Sequence, residues 1–246
     1  MIRFHHAILA GATATALLTA GAADAATITF TNMTVQWFAP VGEPAARALV
    51  TTGGSGTADS TVAWGQPVGN GQSSFRFVTA GDIATDVAIA FTLGDFTHSN
   101  NPVYFGLTGV SLRLIADVVV DGASVGSRAF IYAFSIDETP NTPPCPYGGI
   151  GGQCSDLVAI GAGPATQTFD VAGRAYTLAF SAFDVGGNKT GSFVSAEGGS
   201  NTAQLRALVS VAGVPEPATW GLMIVGFGMV AGAMRRRLGR GVPAAA

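Results

Sequence analysis

Lysine is almost missing from this chain: Lys189 is the only one in 246 residues, and charged residues make up just 11%. A soluble domain carries about 25%. Between residues 26 and 212 there are 7 basic and 13 acidic residues, a balance near −6. A body without cationic surplus cannot neutralise phosphates, which excludes nucleic acid as a partner. Histidine is also scarce. His5 and His6 sit at the very start, leaving His98 as the only imidazole in the body. Any Ser-His-Asp device would have to use it, and no Gly-x-Ser-x-Gly elbow is present. In "GDFTHSNNP" its ring is expected to hydrogen-bond loop backbone. The body is therefore expected to be no enzyme. The two cysteines, Cys145 and Cys154, have no histidine nearby, so their spacing makes a poor zinc site.

What the chain has in quantity is glycine, 34 residues, among short apolar runs. Runs such as "TITFTNMTVQWF", "SSFRFVTA", "DVAIAFTLGDF", "SLRLIADVVVDG", "SRAFIYAFSI", "RAYTLAFSAF" and "AQLRALVSVAG" alternate apolar and polar residues. In the first, the alternation slips once between Phe30 and Val35. Turn residues recur every 8–14 positions, and no stretch holds helical spacing. Asp121-Gly122 and Val171-Ala172-Gly173-Arg174 read as hairpin tips. The fold class expected is all-β: a jelly-roll-like β-sandwich over residues 26–213.

Both ends differ from this body. Residues 1–25 read as a Sec-type signal peptide. Arg3 supplies the positive start, Ala7 to Ala20 is apolar but too short to span, and Ala23-Asp24-Ala25 offers a cleavage site. Near the other end, Ala218 to Met234 is uncharged. As a helix rising about 1.5 Å per residue it barely crosses a hydrocarbon core of about 30 Å. Trp220 stands at its start, and Arg235, Arg236, Arg237 and Arg240 follow it. Arginines on one side hold that side in the cytoplasm, so one C-terminal transmembrane helix would leave the body outside. Pro215, Glu216 and Pro217 precede the run, keeping the backbone extended and open to a protease.

Residues 214–240, with "VPEPATW", the greasy run and the arginine cluster in that order, resemble the PEP-CTERM sorting signal of Gram-negative bacteria; 241–246 is a short tail. The resemblance implies an exosortase-like membrane protease-transpeptidase as partner. It further implies transient anchoring in the inner membrane facing the periplasm, then transfer to the cell surface or release. The body resembles the choice-of-anchor K domain. The resemblance rests on "WGQP", "GQSSFRF", "LGDFTHSNNP", "SIDETPNTPPCPYG", "FDVAGRAYTLAF" and "FVSAEGGSNTAQLRALV" in order. It implies an exported module without a biochemical activity that carries over.

Outside the cell, Cys145 and Cys154 are expected to pair and order the glycine-rich loop between them. Oxygen ligands from loops suit calcium, the one cofactor left open. Its candidate ligands are Asp95, Glu138 and Glu197, with Asn100, Asn101, Asn141 and Asn201 nearby in sequence. Trp37, Trp64, Tyr104, Tyr147 and Phe183 are the aromatics that could meet a glycan. Three roles follow: a structural or adhesive surface or matrix protein in contact with exopolysaccharide; a glycan-binding module, calcium-assisted; and a secreted hydrolase using paired carboxylates.

Overall fold

Period-two alternation becomes strand throughout residues 27–211 of the computed structural model, which describes residues 26–44, 47–69, 71–161, 166–212 and 224–231. The signal-peptide reading over residues 1–25 lies outside the described residues, as do Pro215, Glu216, Pro217, Trp220, Arg235, Arg236 and Arg237. Of the run from Ala218 to Met234 only residues 224–231 are described, and they are helical. Among the described residues no helix is long and apolar enough to cross a membrane.

The body, Ala25–Val214, is one compact unit. It holds two large antiparallel sheets and two short two-stranded ones. The first has six strands in the order Ser192–Ser195, Asp156–Ile160, Ala123–Asp137, Leu107–Val120, Thr27–Gly42, Ile83–Asp86. The second runs Thr166–Val171, Arg174–Val185, Gly199–Val211, Ala90–Asn100, Ser73–Thr79, Asp59–Trp64, Thr51–Gly53. Their inner faces meet in an aromatic core. Phe30 stacks on Phe91 at 5.6 Å between centroids, Phe96 on Phe134 at 4.9 Å, and Trp37 lies 5.9 Å from Phe75. Each pair joins one sheet to the other, so the faces are buried against each other.

Local chemistry sets the register. Asp121-Gly122 closes a two-residue hairpin between Val120 and Ala123, and Ala172-Gly173 closes another between Val171 and Arg174. All four central residues have positive φ, as the hairpin turns matching strand twist require. The slip in the first strand is a bulge: Asn32 adopts φ 52° and pairing shifts between Thr31 and Thr34. A second bulge lies in Ala90–Asn100, where Leu205 faces Gly94 but Arg206 faces Thr92, leaving Leu93 extra. That extra residue decides which side chains reach the candidate site.

Candidate functional site

Several inward-facing rows end in polar residues at the same end of the body. Along Ala90–Asn100 the buried row reads Phe96, His98, Asn100. Along Ala123–Asp137 it reads Phe130, Tyr132, Phe134, Ile136, and the same parity carries on to Glu138. Val158 leads back to Asp156, and Phe193 leads on to Ser195. Strand pairing sets Asn201 beside His98 and Ser195 beside Asp156. An apolar core thus gives way to a polar centre built from both sheets.

Each member of the centre is held by one atom. His98 is fully buried, stacked on Trp64 at 5.9 Å and edge-on to Phe75 at 5.0 Å. Its Nδ1 shares a 2.8 Å hydrogen bond with Ser195 Oγ, which also accepts from Asn201 Nδ2 at 2.8 Å. Glu138 Oε1 accepts from Trp64 Nε1 at 2.6 Å. Asp156 Oδ1 accepts from the Thr139 backbone N–H at 2.8 Å and from its hydroxyl at 3.0 Å. Asn100 Nδ2 donates to the Ser195 carbonyl at 3.0 Å. The opposite atoms have no protein partner: His98 Nε2, Asp156 Oδ2, Asn100 Oδ1 and Glu197 Oε1 are buried and unbonded. One donor atom from each of His98, Glu138 and Asp156 lies within 4.8 Å of the others.

The electrostatics of this arrangement are costly. Among the described residues the ion pairs are Arg47–Glu43 and Arg76–Asp59, and neither involves the centre. Burial pushes Glu138 up to about 8, with the charges of Asp156 and Glu197 adding to it and the Trp64 N–H opposing. Burial likewise raises Asp156 to about 6, with the charge of Glu197 adding to it and the two Thr139 hydrogen bonds and the nearby Asn100 amide opposing. Glu197 is raised by burial, with Asn141 opposing. Burial drives His98 down to about 3, so its ring is neutral. These directions are what desolvation of unpaired charge dictates.

Two hollows flank the centre. One, of about 530 Å³, has Glu138 in its wall with Phe105 and Gly106; the other, of about 280 Å³, is lined by Glu197, Ser155 and the loop bearing Ile150. That loop is a hairpin of Gly149–Ile150 against Gln153–Cys154, closed by the Cys145–Cys154 disulfide. Asn141 Oδ1 accepts from Cys154 N–H at 2.7 Å and ties the hairpin to the segment after Glu138.

Of the expected oxygen ligands, Glu138 and Glu197 share this end of the body, and the charge of Glu197 adds to the upward shift of Glu138. Asp95 does not join them. The Leu93 bulge turns it to the exposed face, opposite in parity to His98. Asn100, Asn141 and Asn201 border the centre, whereas Asn101 bonds the Gln72 carbonyl. His98 lies inside a strand and bonds a serine side chain rather than loop backbone. Sequence reasoning left His98, Asp156 and Ser195 out of the ligand set. Inward parity past Phe96, Val158 and Phe193 marks these positions as buried, but only sheet pairing brings them together. Trp37, Trp64 and Phe183 are core residues, so they form no exposed platform for a sugar. Tyr104 is exposed, and Tyr147 donates its hydroxyl to Asp137 Oδ2 at 2.6 Å.

Comparison with known proteins places one landmark on the chain: residues 213–237 match the PEP-CTERM protein-sorting motif. Proteins bearing this motif are exported, processed by an exosortase and sorted to the cell surface. No curated protein matches the chain.

Proposed function

We infer that this is a non-catalytic surface or extracellular-matrix protein, delivered by its C-terminal sorting signal, whose jelly-roll-like sandwich serves a structural or adhesive role in contact with exopolysaccharide. The observation that carries the reading is the sorting motif at residues 213–237, joined to an all-β body with a disulfide. A disulfide belongs to an oxidising compartment, which agrees with export. A signal peptide over residues 1–25 and a membrane helix from Ala218 to Met234 complete the route. The exosortase acts at the Pro215–Pro217 segment before the body leaves the inner membrane. The choice-of-anchor K resemblance agrees with a module that is displayed rather than catalytic.

The burial of Trp37, Trp64 and Phe183 favours the structural role over glycan recognition through aromatic stacking. The test uses the producing cell. Deleting the chain should weaken cohesion of the extracellular polymer, and restoring it with Pro215–Pro217 replaced by Ala-Ala-Ala should not rescue, the protein then staying in the inner-membrane fraction. Unchanged cohesion on deletion contradicts the role, and surface delivery of the replaced chain contradicts the route.

A further inference from the structure

We propose that His98, Glu138 and Asp156 bind a divalent transition-metal ion, zinc first, that pins the two sheets together at this end of the body. The proposal is independent of the sorting route.

Three observations carry it. First, the donors come from different layers: His98 belongs to the seven-strand path, while Asp156 and the strand leading to Glu138 belong to the six-strand sheet. Second, each of the three side chains is tied to the protein through one atom. Ser195, backed by Asn201, holds His98 Nδ1; Trp64 holds Glu138; Thr139 holds Asp156. Metal ligands are positioned by such outer partners, which fix ring orientation and leave the opposite atom for the ion. Third, His98 Nε2 and Asp156 Oδ2 are unbonded although both side chains are fully buried. A buried polar atom without a partner costs about 1–3 kcal/mol. Two of them beside the Glu138 carboxyl, with no ion pair to the centre among the described residues, are what one dication would satisfy together.

The donor set selects the ion. One imidazole nitrogen with two carboxylate oxygens suits zinc, while calcium takes six to eight oxygens and magnesium keeps several waters. A tetrahedral zinc with bonds of about 2.0 Å places donors about 3.3 Å apart. The donor atoms, within 4.8 Å of one another, would close by up to about 1.5 Å to reach that spacing. Glu197, whose Oε1 is buried and unbonded and whose charge acts on Glu138 and Asp156, is the carboxylate that would take the fourth position. The ion would then link the strand Ala90–Asn100, the segment after Asp137, the strand Asp156–Ile160 and the turn after Ser195.

The test is metal content of the full chain in detergent, stripped with chelator and equilibrated in parallel with zinc, manganese or calcium. Wild type and Asp95→Asn should retain about one zinc per chain. Glu138→Gln keeps an acceptor for Trp64, and Asp156→Asn keeps one for Thr139. Both should therefore fold and lose at least about tenfold in zinc affinity. The 15N resonance of His98 Nε2 should shift on zinc addition to wild type, a readout that survives if a variant fails to fold. Native protein without bound zinc overturns the proposal. So does zinc retained undiminished by both variants, calcium bound in preference to zinc, or an Nε2 resonance that does not move.

Discussion

Trp64 touches the polar centre twice, through its N–H to Glu138 and through its face on His98. Trp64→Phe keeps the aromatic core but deletes the donor and part of the packing. A lost bond to a carboxyl and a partial cavity together should cost about 2–4 kcal/mol, read from urea unfolding. The acids around it give the metal-free protein a pH signature. Glu138 folds with its pKa raised from 4.5 to about 8, so folding favours its protonated form. Its contribution is fully present below pH 4.5 and is lost as pH climbs to about 8. Asp156, raised to about 6, finishes its part of that loss lower down. His98, lowered from 6.5 to about 3, works the other way: it favours folding above pH 6.5 and loses that as pH falls. Between 6.5 and 8, Glu138 dominates. In chelator, the melting temperature should drop across that window, and Glu138→Gln should flatten the drop. A flat wild-type curve would contradict the burial of an ionisable Glu138.

At the scale of the element, Leu93 and Gly94 decide the geometry. Counting inward from Phe91 and Leu93 by twos puts Asp95 in the core, and the bulge reverses this so that Phe96, His98 and Asn100 point in. A Cβ on Gly94 would sit 2.2 Å from the Val78 carbonyl oxygen and 2.7 Å from Phe77 Cζ. Gly94→Ala should therefore destabilise by about 1–3 kcal/mol or more, with His98 displaced, as measured by denaturant melts. The Cys145–Cys154 bridge closes a ten-residue loop. Replacing both cysteines by serine should cost up to about 2.7 kcal/mol on the chain-entropy model. The strands, the two hairpin tips, the slip at Asn32 and the disulfide were legible because turn chemistry and parity are local. The centre was not. His98 meets Ser195 across 97 residues, and Asp156 meets Thr139 across 17, contacts that only sheet pairing creates. Asp95 misled for the same reason, since a one-residue bulge is silent in an alternating pattern.

For the whole molecule, two regions carry different information. Residues 213–237 carry the sorting motif, which specifies handling by another protein. It was legible because its proline, apolar run and arginines follow one another in a fixed order along the chain. The body answers to packing, with a shared aromatic interior ending at a polar centre that joins the sheets. Its role outside the cell depends on the route its ends describe. Intact-mass spectrometry of the chain recovered from the surface of its producing cell tests that route most directly. A polypeptide beginning near Ala26, ending near Pro215–Pro217 and lacking Arg235–Arg237 is the predicted result. A full 246-residue chain found only in the cytoplasm would contradict it.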